Sequence, residues 1–381
     1  MDRDEGTSRT DYQRRGSNRL PRSTAARAGL LLLLVLAALC IGTLPWTMGA
    51  SSPGGPPRYA ADCLEAHLLP PTWAPHRPDE RERAEAEARL RAVERIRAAR
   101  ETSAIGSDAA SVPEPTQAEV DTARAVHVFG TDQLGRDVFI RCLAGGAVSM
   151  GIGMAAAAIS VGIGTVFGAV SGFRGGRTDA LMMRAVDVLY GLPSILLVVL
   201  LAVAGDALMD SAVAERSRAG GGSFWADLVA GNRAAFDVAI LFIAIGGVSW
   251  LTMARVIRGQ VLSLKAQPFM EAARAMGVPA RRQLFRHLLP NLVGPIIVYA
   301  TLTVPQAILQ ESFLSFLGIG VKAPLPSWGN LAADGLSELN TVRVRWWLLV
   351  FPCGFLAATL LALNFAGEGL REAFDPRRRD K

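Results

Sequence analysis

The chain has 381 residues, half of them hydrophobic and 19% charged, with a formal net charge of +6 and a mean hydropathy of +0.28. Soluble globular domains carry about a quarter charged residues, so this balance points to an integral membrane protein and excludes a disordered chain. The four cysteines, Cys40, Cys63, Cys142 and Cys353, are too widely separated to suggest a zinc site or a disulfide scaffold.

Crossing a hydrocarbon layer of about 30 Å takes ~20 mostly apolar residues in continuous helix. Residues 1–27 form a basic tail, followed by a first span at Ala28–Met48 built on Leu30–Leu34. That run is longer than the ~7–15-residue core of a signal peptide and reads as an uncleaved anchor. Residues 49–143 form a long insertion. It begins with the breaker-rich Ser51–Pro57 and continues into Asp79–Glu101, whose helix formers and mixed charges predict a solvated helix with i,i+4 pairs. Thr102–Thr122, with Pro113 and Pro115, reads as a linker. The core, residues 144–318, holds spans at Ala144–Phe173, Leu181–Ala204, Val238–Leu262 and Leu292–Leu317, with a charged loop at 263–291. A loop at 319–345 leads to the last span, Trp346–Phe365, and a tail ending at residue 381. The expected fold is all-α, with six transmembrane helices.

Lys and Arg in the short loops orient such a bundle. With the N-terminus inside, 22 basic residues fall on the cytoplasmic side against six in the two short outer loops. Both termini are therefore expected in the cytoplasm and residues 49–143 outside. The basic excess then reads as topology and lipid-headgroup contact, with no nucleic-acid partner. Cys63 and Cys142 both fall outside, where an oxidising compartment would let them pair if they were close.

Catalytic signatures are missing: there is no phosphate loop, HExxH, GxSxG or CxxC. No metal or cofactor site is expected in this chain, and the four scattered histidines, His67, His76, His127 and His287, read as structural. Ionisable residues inside spans usually face protein or a water-filled path. Asp187, three residues after Arg184, is expected to pair with it on one helix face, and Asp187, Gln310 and Glu311 are candidates for path lining or bundle polar contacts. Gly164, Gly168 and Gly172 form a stripe that admits another helix closely. Pro193 and Pro305 suggest kinks.

The most informative stretch is Gln267–Asn291. Pro268 suits a first helical position, and Glu271 complements the first turn. Ala272, Ala273 and Ala275 leave one side small enough for another protein to approach. Gly277 is a left-handed stop, and Pro279 blocks continuation. Ala280–Leu289 reads as a second short helix ended by Pro290. On physical grounds alone, a force-transmitting elbow and a lateral surface helix stand level.

These residues resemble a family. Glu271-Ala272-Ala273, Gly277 and Leu289-Pro290 are similar to the EAA loop of ABC-importer membrane subunits, with His287 standing where the broad pattern has isoleucine. His127–Val138 (HVFGTDQLGRDV), Glu311–Asn330 and Leu363–Arg377 resemble the C-type permease of the dipeptide/oligopeptide and nickel branch. The resemblance implies the type I permease bundle and a subunit that itself hydrolyses nothing. It also implies a homologous B-type permease partner, two ABC ATPase subunits using ATP and Mg, and an extracytoplasmic solute-binding protein. Phe269, Met270, Glu271, Ala272, Ala273, Gly277, Leu289 and Pro290 would then couple to the ATPase. Substrates would be peptides, nickel chelates or similar solutes. Two rivals are an ion-driven secondary transporter using Asp187 or Glu311, and a membrane-anchored sensor working through residues 49–143.

Overall fold

The computed structural model describes residues 24–52, 54–102, 114–219, 232–339 and 343–374. The described residues are helical, with isolated bridges and no named strand. In chain order the helices are α1 (Thr24–Gly42), α2 (Leu44–Thr47), α3 (Pro78–Thr102), α4 (Gln117–Ala123) and α5 (Val138–Arg174). They continue as α6 (Gly176–Tyr190), α7 (Ser194–Ala219), α8 (Arg233–Lys265), α9 (Pro268–Ala275), α10 (Ala280–Arg282), α11 (Leu289–Phe316), α12 (Trp328–Ser337) and α13 (Trp347–Phe374). A π-helical turn, Gln283–Leu288, joins α10 to α11. Among the described residues, six stretches are long and apolar enough to cross a membrane: Thr24–Thr47, Val138–Arg174, Ser194–Ser211, Arg233–Lys265, Ala280–Phe316 and Trp347–Ala373.

The bundle is organised around α5. Lipid tails offer no hydrophobic drive between helices, so close packing has to hold them. The glycine stripe does this against α8: a Cβ at Gly164 would lie 2.5 Å from Met253 Cβ, and one at Gly172 3.0 Å from the Arg258 carbonyl. A Cβ at Gly168 would fall inside van der Waals distance of the Ala254 carbonyl. Farther along α5, Gly146 receives the Trp328 ring and Gly153 receives Ile308 of α11. At the other edge α1 meets α13, with Gly29 set against Phe365.

Three expectations need correction. The third span is not Leu181–Ala204. Pro193 has no N–H to donate and disfavours helix at Leu192, so the chain stops at Tyr190 and restarts at Ser194. The charged residues 181–190 belong to the separate helix α6, which carries exposed Leu181 and Val188. Pro290 does not end a helix either. It directly follows the π-turn Gln283–Leu288 at the start of α11, and the chain runs helically from Ala280 to Phe316. Pro305 lies inside α11 without interrupting it. The supposed linker holds α4, fixed by a capping box in which Thr116 and Glu119 bond each other's backbone. Residues 103–113, with Pro113, lie outside the described residues.

The insertion docks on the bundle. Ala88 and Ala92 of α3 pack against Val120 and Ala123 of α4, so α3 is solvated on one side only. Arg83 donates to the His67 carbonyl at 2.7 Å, and Arg343, just before α13, reaches Asp79 at 2.9 Å. Cys63 and Cys142 are both free thiols, Cys142 buried within α5.

Candidate functional site

The elbow between α8 and α11 is built from short-range rules. Pro268 occupies the first turn of α9, and Glu271 completes that turn. Met270 and Ala273, three residues apart, share a face, and both are buried. Met270 packs in a cluster with Ile257 and Val261 of α8 and with Leu288 and Leu292. Phe269, Glu271, Ala272, Ala275 and Met276 stay exposed on the remaining surface, with Met276 75% accessible.

Two of the expected coupling residues lie on the buried face. Met270 and Ala273 look into their own bundle, since an apolar pair at this spacing buries itself where it can. The small residues left for a partner are Ala272 and Ala275.

The helix ends in a Schellman motif. Gly277 N–H donates to the Arg274 carbonyl at 3.0 Å and Val278 N–H to the Ala273 carbonyl at 3.1 Å. Gly277 has φ +70°. A Cβ there would meet nothing within 4 Å, so conformation alone demands glycine. Leu289 is half-buried against the elbow cluster, whereas Pro290 is exposed.

The elbow is fastened to its neighbours by cations. Arg274 donates to the Lys265 carbonyl at 2.6 Å. Lys265 Nζ in turn donates to the Phe173 carbonyl at 2.8 Å and the Gly172 carbonyl at 3.2 Å, capping the end of α5. Arg258 of α8 forms a two-pronged pair with Asp179 of α6, at 2.6 and 2.5 Å, and Ser171 joins the same carboxylate at 2.5 Å. The Arg258 guanidinium holds the Asp179 carboxyl below the usual carboxylate range. The partners of Arg258 and Lys265 were not legible in the sequence, because those contacts join residues far apart along the chain.

The other singled-out polar residues sit elsewhere. Asp187 pairs with Arg255 of α8 at 2.8 Å, not with Arg184, and the Arg255 guanidinium lies 3.9 Å from the centroid of the Tyr190 ring. Glu311 is wholly buried; Ser315 donates to it at 2.8 Å and Ser312 at 3.3 Å. Ser149 and Ser327 complete a ring of hydroxyls around it. Ser315 Oγ also accepts from Val321 N–H, and Ser149 Oγ from Trp328 N–H, so this cluster pins the segment leading into α12. Gln310 lines a separate apolar cleft of about 270 Å³ with Ile195, Val198 and Phe313.

His127, read as structural from the sequence, has partners that the sequence does not show. It is buried between the insertion and α5, with Nδ1 2.9 Å from Asp137 Oδ2 and Nε2 3.1 Å from Glu87 Oε1. Asp137 uses its other oxygen to cap α5 at Phe139 and Ile140. Two carboxylates at the two ring nitrogens call for two N–H donors, which only the imidazolium has. Burial would lower the His127 pKa, but Asp137 and Glu87 outweigh it and raise it to about 9. The Glu87 carboxyl is burial-penalised yet held low by His127 and Arg91. The sequence signals a helix start at Asp137-Val138, but that His127 meets this cap is seen only in the fold.

A packed bundle of six apolar spans joined by a two-faced elbow is the architecture of a membrane-embedded transport subunit. Residues 164–380 match the family described as "Binding-protein-dependent transport system inner membrane component", and the chain belongs to it. It is thus an ABC-importer permease subunit of the cell membrane, multi-pass and not an enzyme. It is 44% identical over 253 residues to the oligopeptide transport system permease protein OppC of Bacillus subtilis (strain 168), covering 66% of this chain and 72% of that one. The OppC of Escherichia coli (strain K12) is likewise 44% identical over 253 residues, 66% of this chain and 73% of its own. The dipeptide transport system permease protein DppC of Bacillus subtilis is 43% identical over 255 residues, 67% of this chain and 70% of its own.

Proposed function

We propose that this chain forms one half of a peptide translocation path and takes its driving force through α9. The resemblance to OppC and DppC supports di- or oligopeptides as cargo. A homologous B-type permease would complete the path, and a solute-binding protein would deliver the cargo. Two ABC ATPases would use ATP and Mg on the side of α9. The basic excess supports placing that side, with both termini, in the cytoplasm. Residues 49–143 then face the binding protein.

One observation carries the coupling reading: α9 is bolted to α8 and α11 through Met270 while leaving Phe269, Glu271, Ala272 and Met276 free for a partner. A handle of that kind converts a partner's movement into rigid-body displacement of the spans.

The test is a detergent pull-down of the tagged chain from its native membrane, beside a Gly277→Asp variant. Wild type is expected to bring down a second six-span permease and a Walker-type ATPase. The variant should keep the permease and lose the ATPase. Wild type recovered alone, without ATPase activity, under conditions that preserve other complexes, would refute the reading.

A further inference from the structure

We propose that the basic turn opening the fifth span binds the phosphate headgroup of an anionic phospholipid. Arg281, Arg282 and Arg286 line an open cleft of about 700 Å³ with Phe285, Pro279 and Pro290. Among the described residues these three arginines make no ion pair and no side-chain hydrogen bond. The neighbouring cations behave differently: Arg255 and Arg258 each hold an aspartate, and Lys265 and Arg274 hold carbonyls. Three exposed guanidiniums around one cleft form a positive site with no internal counter-charge, and guanidinium is the side chain whose planar fork matches a phosphate.

Depth in the bilayer selects a lipid as the source of that phosphate. The helical stretch Ala280–Phe316 has 37 residues, or about 55 Å at 1.5 Å per residue, against ~30 Å of hydrocarbon. Its apolar run begins at Leu288 and Leu289. Counted from there, the ~20 residues that cross the core put Arg286 within one turn of the hydrocarbon edge. Arg281 and Arg282 stand about 6–8 Å beyond Arg286, where long side chains still reach headgroups. Phe285, 58% exposed on the same turn, is an apolar ring at the interface, where aromatic side chains anchor. The backbone there is the π-turn Gln283–Leu288, a distortion that recurs at functional sites. An acidic protein surface would match the charge equally well, but it would leave Phe285 and Pro290 facing water or carboxylates. A lipid gives each group its own partner.

The site is independent of the coupling reading, so the isolated full-length chain suffices to test it. Delipidated protein in neutral detergent is titrated with phosphatidylglycerol or phosphatidylcholine, and bound lipid is counted by native mass spectrometry. A basic residue near an anionic surface contributes about fivefold, so three predict a preference for phosphatidylglycerol on the order of a hundredfold at low salt. The preference should shrink as salt rises. It should collapse in the Arg281→Gln, Arg282→Gln, Arg286→Gln triple variant. It should survive in the triple lysine variant, which keeps the charge and controls for folding, and in Arg97→Gln, Arg100→Gln on α3.

Equal binding of the two lipids would overturn the proposal, as would a preference that survives the glutamine triple. Displacement of the lipid by millimolar inorganic phosphate would assign the cleft to the free ion instead. If the glutamine triple binds lipid normally and instead loses a copurifying ATPase, the cleft is a protein contact and the proposal fails.

Discussion

Replacing His127 with glutamine removes the one side chain able to donate to both Glu87 and Asp137. The magnitude follows from the raised pKa. Moving the imidazole from an ordinary 6.5 to about 9 corresponds to about 3 kcal/mol favouring the docked insertion. The sign is that of a group whose folded pKa is raised. The contribution is complete below pH 6.5, declines above it, and is gone once the pH passes about 9. Trypsin cutting within α3, which carries seven arginines between Pro78 and Thr102, reads this equilibrium when undocking is fast relative to cleavage. At pH 6 the variant should be cut on the order of a hundredfold faster than wild type, from ~1.4 kcal/mol per tenfold. Wild-type cutting, normalised to an unfolded substrate, should accelerate toward pH 9, and the variant's should stay flat. If the two proteins are cut at the same rate at pH 6, or wild type shows no pH dependence, His127 is not a doubly donating clip.

Gly168→Leu should lower the thermal stability of the purified chain by at least 2 kcal/mol, the upper part of the overpacking range, because its side chain would strike the α8 backbone. Gly151→Leu, at a position with nothing within 4 Å, should leave it unchanged in the same melting assay. In a background lacking native cysteines, Phe269→Cys and Met276→Cys should react promptly with a soluble maleimide and Met270→Cys slowly, as their exposures require; fast reaction at 270 would mean that α9 is not seated. Gly277→Ala should destabilise the elbow by about 1–2 kcal/mol, the left-handed penalty of a residue with a Cβ. Gly277→Asn should cost less, and ATPase capture in the pull-down should follow the same order.

The spans and the elbow were legible because their signals are local. A run of twenty apolar residues, Pro268 at a helix start and Gly277 at its end depend only on neighbours in sequence. Errors came where two local signals competed. Pro193 suggests a kink within an apolar run, but it falls after an amphipathic stretch, and the chain divides there into α6 and α7. Pro290 suggests a terminator, but it directly follows the π-turn Gln283–Leu288 at the start of α11. For Asp187 the nearest cation in sequence on its helix face is Arg184, but the fold supplies Arg255 of α8 instead. The buried side of α9 was equally beyond reach of the sequence: the motif marks Met270 and Ala273 as belonging to the elbow, but which way they face depends on how α8 and α11 converge.

A handle transmits force only if the body behind it does not deform. From α9, Met270 leads into α8 and α11, and α8 meets α5 through the glycine stripe, where backbones lie too close to compress. Lys265 fastens the end of α5 to the same joint. At the opposite end of α5, Asp137 both caps the helix and holds His127, which holds Glu87 of the insertion. The chain of contacts from α9 to α3 therefore runs through buried apolar packing at Met270, close-packed backbone along α5 and charge-assisted bonds at His127. In the proposed importer the insertion would move with α5 as one piece, and displacement of α9 on one face of the membrane would reach α3 on the other. Cutting this line at His127 should leave ATPase capture through α9 intact while releasing α3, a separation of effects that a general loss of folding would not produce.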